Sequence, residues 1–484
     1  MTVQPPGKVH QTMKTARIRP RLLLLYAPTL RTSGVATFTA GLCRIMEHHG
    51  WEVIVGLAWG TTYHDPRLFE EQHLDVKTIW MDARTGSEEG RIQAICRTIR
   101  EARPQVVLHS CLDSAFAAVR RLRSAGRGDF TFCVVNHGSF PEHAASLLAN
   151  RDVVDQVVCV SRWSYLALTS AGVALPGDRV HYIPNTVSSP TAPARTRQGS
   201  PPRIGYAGRL MPDKRFRDIF PFFRAVAAGN PATELWIAGD GPYADETRHF
   251  CGEFPGRVRH WGAVSREDLY TAFYPEIDIF INFSGAEGWS LAIGEAMAHG
   301  VVPVLSAFSG IFVEGLAQPN RTALILPTGD TDSAARLVGA LLDNPDQLLT
   351  MSAEIRDLMT REYPMALFAR RWAETLDGFL SSPQLQPIST LTTDSRSGLE
   401  SARERLRRLL RRRFPHRDPG GEWPHFSSKK HAVLVAEIAG IMAGHERRAR
   451  EQALSRMDTV SPLAGIQLEV LACRQPGRTG YSEQ

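Results

Sequence analysis

Paired cysteines are the first thing this sequence lacks. Its seven cysteines (Cys43, Cys96, Cys111, Cys133, Cys159, Cys251 and Cys473) are dispersed, odd in number and never spaced as C-x-x-C. That pattern excludes a disulfide framework and a cysteine-rich zinc module, and it fits the reduced thiols of a cytoplasmic protein. Long apolar runs are missing too. Leu22–Leu25 is short, and the later stretch Ala432–Gly444 is interrupted by Glu437. Neither approaches the roughly 20 apolar residues that cross a bilayer. The first twenty residues are polar, basic and proline-containing, so neither a signal peptide nor a membrane span is expected. Strong charge of one sign is also absent. A net charge of +6 over 484 residues suits a phosphorylated ligand or an anionic membrane surface and does not require nucleic acid. No cluster of histidine, cysteine and acidic residues has ligand spacing, so no metal and no other cofactor is expected.

What the sequence does have is alternation. Short runs of β-branched and aromatic residues alternate with helix-like segments, the pattern of an α/β chain built on doubly wound parallel sheets. In the first half the expected strands are Leu22–Tyr26, Glu52–Ala58, Val76–Trp80, Gln105–His109, Thr131–Asn136, Gln156–Val160 and Val180–Ile183. A second series starts at Arg203, with strands at Ile204–Ala207, Glu234–Ala238, Val258–Trp261, Ile277–Phe283, Val302–Leu305 and Thr322–Leu326. Between the two series, Ser188–Pro202 is rich in proline, serine and threonine and reads as a linker. The expected division is therefore a flexible terminus at 1–20, a first domain at 21–187, the linker at 188–202 and a second domain at 203–361. A closing helix at 362–380 and an extra tail at 381–484 complete it.

In open α/β sheets ligands collect at the carboxyl ends of strands, so polar residues and glycines there are the informative ones. The densest such place is Glu287–Pro303, EGWSLAIGEAMAHGVVP. Glu287 falls in a loop after a strand and just before the start of a helix expected over Ser290–His299. Glu295 lies eight residues on, about two helical turns further. The amides of Gly288, Ser290 and Leu291, with the helix dipole, favour an anion at this helix start. Glu287 beside that anion would hold sugar hydroxyls, and Glu295 would hold ribose hydroxyls. After the strand Ile204–Ala207 comes Gly208-Arg209-Leu210-Met211-Pro212-Asp213-Lys214. Arg209 can fork two phosphate oxygens and Lys214 adds a point charge. Two further strand ends carry candidates. Gly34, at a helix start, either approaches a ligand or makes a tight turn. His137, in Asn136-His137-Gly138, is either a structural or a site histidine.

The E-x7-E stretch, the G-R-L-x3-K turn, Gly239-Asp240-Gly241-Pro242 and Pro327-Thr328-Gly329-Asp330 together resemble the family 4 retaining glycosyltransferases (glycosyl transferases group 1), over roughly residues 20–380. The resemblance implies the GT-B fold, two Rossmann-like domains facing a central cleft. It also implies metal-independent transfer of a sugar from a nucleotide-diphosphate-sugar to an acceptor hydroxyl by front-side attack. In that reading His137, Glu287, Arg209 and Lys214 are catalytic. Gly34, Arg209, Lys214, Trp261, Gly262, Val264, Gly288, Ser290, Leu291 and Glu295 bind the donor. The acceptor, a glycan, glycolipid or small molecule, would sit on the first domain, and the basic tail suits a lipid-linked molecule or a polysaccharide. Four positions depart from the family pattern: Ser33 and Arg215 replace glycines, Thr186 follows Asn185 where glycine is usual, and Val313 precedes Glu314 where proline is usual.

Asp330-Thr331-Asp332 matches a metal-binding D-x-D formally, but its place before a helix favours capping. In the tail, Leu399–Arg417 carries eight arginines and two glutamates with leucines at helical spacing. Such a stretch fits an anionic membrane at the inner face, or else packs its leucines on the core. One more helix is expected over Ala432–Met457. The rival readings are a non-catalytic nucleotide-sugar-binding or partner-binding module, and an epimerase or phosphorylase on the same fold. Product analysis without acceptor separates the latter from a transferase.

Overall fold

The computed structural model describes residues 19–28, 33–60, 64–82, 87–110, 112–138, 140–170, 175–188, 200–382, 384–385, 432–457 and 462–472. The arginine-rich segment 399–417, most of the 188–202 linker, most of the amino-terminal twenty residues, Cys111 and Cys473 lie outside these.

The two series of apolar runs become two all-parallel sheets. The first has seven strands: β1 (Arg21–Tyr26), β2 (Glu52–Trp59), β3 (Thr78–Asp82), β4 (Val106–His109), β5 (Thr131–Asn136), β6 (Gln156–Cys159) and β7 (Val180–Tyr182). Their spatial order is β3-β2-β1-β4-β5-β6-β7. The second has β8 (Arg203–Ala207), β9 (Glu234–Ala238), β10 (Val258–Gly262), β11 (Ile279–Asn282), β12 (Val302–Ser306) and β13 (Leu324–Leu326), ordered β10-β9-β8-β11-β12-β13. Helices cover both faces, which explains why these strands read as continuous apolar runs. In β1, Leu22, Leu24 and Tyr26 join one core cluster while Leu23 and Leu25 join another across the sheet. The order reverses between β1 and β4 in the first sheet and between β8 and β11 in the second. Ligand crevices form at such switch points. Both conspicuous motifs of the second half, after β8 and after β11, open onto one of them.

Three expectations needed correction. Strand β3 runs Thr78–Asp82, two residues later than Val76–Trp80. The closing helix is not continuous over 362–380. One helix ends at Glu362 and another runs Met365–Phe379. Pro364 supplies no amide hydrogen, and the residue before a proline is pushed out of helical geometry; Tyr363 sits at φ −125°, ψ 37°. The second piece packs on the first domain, where Phe368 and Trp372 meet Phe38, and Trp51 Nε1 donates to Asp377 (3.0 Å). The third correction concerns the tail. Besides Ala432–Ser455 it contains a helix over Pro462–Ala472, and both dock on the body.

The docking is specific. Ile438 and Met442 of Ala432–Ser455 are buried. The helix receives Trp163 Nε1–H at the Met442 carbonyl (3.2 Å) from the first domain, and Gly310 N–H at Glu446 Oε2 (3.1 Å) from the second. His445 Nε2 lies 2.9 Å from Ser170 Oγ. In the last helix, Gln467 pairs with both backbone groups of Ile325, accepting from its N–H at 2.9 Å. That occupies the open edge of β13 with a side-chain amide.

Candidate active site

The second domain contributes cations. Past β8 the chain leaves the sheet at Gly208, and Tyr206 Oη–H donates to the Arg209 carbonyl (2.7 Å), holding that loop backbone. Gly239, at φ 140°, packs against this loop, and a Cβ there would run into the Gly208 carbonyl. The G-D-G-P turn is thus a backbone-to-backbone seat for the cationic loop. Arg209 donates to Asp213 Oδ2 at 2.6 Å and from its other Nη to Met211 Sδ at 3.0 Å. Lys214 ends a short 3-10 turn and donates to Glu287 Oε1 at 2.8 Å. Arg215 follows in the left-handed region at φ 48°, which explains why glycine suits this position. Its guanidinium pairs with Asp218 (2.7 Å).

Glu287 lies beyond β11. The strand's last residue, Asn282, accepts from Ser284 N–H (2.9 Å) and donates to Glu287 Oε1 (3.3 Å), so one amide side chain shapes both loop and carboxylate. The next helix is Leu291–Ala298, and no side chain caps its start at Ser290. Its first amides are therefore available to an anion.

The first domain contributes His137, one residue beyond β5. Asn136 Oδ1 accepts from Gly138 N–H (3.2 Å), and Ser164 Oγ–H donates to the Gly138 carbonyl (2.5 Å). The imidazole stands edge-on to Phe38 (4.6 Å between ring centres). Its Nε2 is enclosed and has no partner among the described residues. Burial, reinforced by His143, pushes its pKa down to about 3. At neutral pH His137 is an uncharged imidazole with one ring nitrogen free for a hydrogen bond. Gly288 joins the two halves, because a Cβ there would strike the His137 carbonyl oxygen. Gly34, exposed at its helix start, is next to Leu291, whose Cδ1 lies 3.6 Å from where a Cβ would stand. Gly34, His137, Glu287, Gly288, Ser290, Leu291, Arg209 and Lys214 therefore gather around one cleft.

The other candidates lie deeper. Glu295 is 7% exposed, accepts from Tyr274 Oη (3.0 Å) and faces Arg266 Nε (3.3 Å). Burial raises its pKa, opposed by Arg266 and the tyrosines. Trp261 packs its ring between Trp236 (5.2 Å) and Phe273 (5.7 Å), with Arg259 over it at 4.2 Å. That makes its side chain part of the packing. Gly262, whose carbonyl accepts from Gly239 N–H (2.7 Å), and the half-buried Val264 follow on the adjoining loop. Asp330 caps the helix Thr331–Leu342 by accepting from Ser333 N–H (3.0 Å), as its position before a helix predicts. Among the described residues no group of three or more His, Cys, Asp or Glu could hold a metal ion.

Sequence reading missed several participants. Asp213 stood inside the G-R-L-x3-K turn but has no motif of its own. Asn282 looked like an ordinary strand terminus. Glu314 turned out to be an interdomain contact: buried in the second domain, it accepts from Trp163 N–H (3.0 Å) at the start of the first-domain helix Arg162–Thr169. Ser161 caps that same helix through Ser164 N–H (3.2 Å). Asn185, at the domain junction, donates weakly to the Trp289 carbonyl (3.5 Å).

The family model described as Glycosyltransferase Family 4 matches residues 32–189, and that described as Glycosyl transferases group 1 matches 201–344. A GDP-mannose-dependent alpha-(1-6)-phosphatidylinositol monomannoside mannosyltransferase of Mycobacterium tuberculosis is 29% identical over 247 residues, 47% of this chain and 63% of the relative. A GDP-mannose-dependent monoacylated alpha-(1-6)-phosphatidylinositol monomannoside mannosyltransferase of Corynebacterium glutamicum is 26% identical over 182 residues, covering 36% of this chain and 47% of its own length. The match thus spans less than two thirds of either relative. Among solved structures, sucrose-phosphate synthase of Thermosynechococcus elongatus superposes with a TM-score of 0.61 at 17% identity, over 75% of this chain and 100% of its own. Anabaena HepE in complex with UDP-glucose gives 0.58 at 17% identity, over 74% and 99%. These likenesses show a shared fold, two parallel-sheet α/β domains in the GT-B arrangement. With family models matching either side of the cleft, and the E-x7-E and G-R-L-x3-K residues meeting within it, this chain belongs to the family 4, group 1 glycosyltransferases.

Proposed function

We propose that this protein is a retaining glycosyltransferase that moves a hexose from a nucleotide-diphosphate-sugar to an acceptor hydroxyl, with no metal required. The observation that carries the reading is the Lys214–Glu287 pair, on the same loop side as Arg209, meeting the His137 loop of the other domain at Gly288. Arg209 and Lys214 stabilise charge that grows on the leaving diphosphate, an electrostatic contribution made mostly in the transition state. The uncapped start of Leu291–Ala298 adds backbone amides to the same anion. Glu287 and the free ring nitrogen of His137 hold sugar hydroxyls and fix the reacting carbon. Glu295, beneath them, holds the ribose directly or through its Tyr274 and Arg266 partners. Because His137 is uncharged, it serves as a hydrogen-bonding group and not as an acid.

GDP-mannose is the first donor to test and a phospholipid-linked sugar the first acceptor, since the relatives above are mannosyltransferases so named. UDP-sugars come second, supported by the UDP-glucose bound to a fold neighbour. A cytoplasmic enzyme meeting its acceptor at the inner membrane face, with 399–417 as the contact, fits this reading. Among the described residues no helix is long and apolar enough to cross a membrane. The test is a thermal-shift and turnover panel of GDP-, UDP- and ADP-sugars in EDTA, with Arg209→Ala alongside. Stabilisation by one donor class, lost in the variant, supports the reading. A panel in which no donor binds, or in which the variant binds as well as the wild type, refutes it.

A further inference from the structure

Both cations of the cleft are already neutralised by the protein itself. Arg209 is held by Asp213 (2.6 Å) and Lys214 by Glu287 (2.8 Å). The two pairs differ in setting. The Asp213 side chain is 44% exposed, so it returns to water cheaply when displaced, whereas Glu287 is 10% exposed. If Lys214 leaves it, Glu287 keeps only the long contact from Asn282 among the described residues, and a buried carboxylate without partners is costly.

We propose that these carboxylates are built-in counterions that the donor must exchange, and that the exchange makes the cleft favour the intact nucleotide-sugar over the spent nucleotide. The proposal rests on the glycosyltransferase reading above. A diphosphate arriving at Arg209 and Lys214 displaces Asp213 and draws Lys214 from Glu287. With an intact donor, the sugar hydroxyls donate to Glu287 in place of Lys214. With a nucleoside diphosphate alone, nothing replaces Lys214, so the ion pair reforms and expels the product. Tyr206, by fixing the Arg209 carbonyl, lets the guanidinium swing while the loop backbone stays in place. Asp213 is a positioning residue that acts through Arg209.

The two variants give opposite signatures. By calorimetry on the full chain, Asp213→Asn is expected to tighten GDP and GDP-mannose alike (or UDP and UDP-glucose, whichever pair the protein takes), by about fivefold. Glu287→Gln frees Lys214, and is expected to tighten the nucleoside diphosphate by a similar factor while weakening the nucleotide-sugar. Asp213→Glu restores the wild-type values. If Asp213→Asn leaves both affinities unchanged or lowers them, or if Glu287→Gln weakens both ligands, counterion exchange is overturned while the site stands. If Arg209→Ala binds both ligands as the wild type does, the diphosphate site itself is wrong. Melting temperatures of all variants report whether each is folded.

Discussion

Docking of the tail helix Ala432–Ser455 should depend on pH, tighter in acid than at neutrality. A buried carboxylate, Glu314, and a half-buried one, Glu446, stand near the junction it bridges. Glu446 accepts from Gly310 N–H, and burial pushes its pKa up to about 7, against the opposing pull of the Gly310 and Phe312 amides and Arg450. Glu314 is raised to about 7 in the same way, its burial opposed by the Arg162 and Trp163 amides, the Arg162 charge and Tyr182. In the undocked state Glu446 reverts toward the ordinary carboxylate value near 4.5, whereas Glu314 keeps its Trp163 partner on the first domain. The docked form therefore binds protons more tightly. Its extra stability is complete below about pH 4.5 and is lost as pH rises through about 7. Moving from about pH 7.5 to about pH 5.5 should strengthen the docking by roughly 2 kcal/mol through Glu446. The assay is hydrogen exchange of peptides from Ala432–Ser455, corrected for intrinsic rates. Glu446→Gln keeps an acceptor for Gly310 N–H but cannot ionise. It should remove most of the pH dependence and slow exchange at neutral pH. Protection that is independent of pH, or that grows toward alkaline pH, would refute the reasoning.

Four further outcomes follow from contacts already described. Arg209→Ala should lower kcat/KM by about 10- to 100-fold, the loss of one charge-assisted bond of about 1.5–3 kcal/mol to the diphosphate, with melting temperature little changed. Gly288→Ala forces the loop away from the His137 carbonyl, so scattering should report a larger radius and turnover should fall steeply; an unchanged envelope would count against the contact. Tyr274→Phe removes the hydroxyl that serves buried Glu295 and should cost about 1–3 kcal/mol in denaturant unfolding, together with weaker donor binding. Gln467→Leu strips both hydrogen bonds from Ile325 at the β13 edge, and Pro462–Ala472 should then become the faster site of proteolysis.

Strand identity and the α/β class were legible because parallel strands buried on both faces read as continuously apolar, as Leu22–Tyr26 and Ile279–Asn282 do, and their short length and flanking turn residues favour a strand over a helix. The site was legible where chemistry sits at a strand end: Arg209, Lys214 and Glu287 all follow strands that meet at the second sheet's switch point. What stayed hidden depends on partners distant in sequence. Nothing local distinguishes Glu446 from any exposed helical glutamate, because its partner is Gly310, and Gln467 likewise finds Ile325 only in three dimensions. The packing of the Trp261 ring is a related case, since its neighbours Trp236 and Phe273 lie apart from it in sequence. The break at Tyr363-Pro364 is different, since proline chemistry alone predicts it.

The tail changes what closing of the cleft can mean in this chain. Contact between the domains runs through Gly288 on His137 and through Glu314 on Trp163. The tail adds a third line that uses two of the same neighbourhoods, Trp163 from one side and Gly310 from the other. Separating the domains along Glu314–Trp163 while the tail stays docked would strain the Met442 and Glu446 bonds together. Opening therefore requires either a hinge on the Glu314 side, with Gly288 leaving His137, or release of the helix Ala432–Ser455. Glu446 favours the second route as pH rises, because it loses its protonated, cheaply buried form near neutrality. Truncation before Ala432 separates these cases: if the tail restrains opening, donor affinity in the truncated chain falls while its dependence on pH flattens. If affinity and pH profile both stay as in the full chain, the hinge lies at Gly288 and the tail is only a cover.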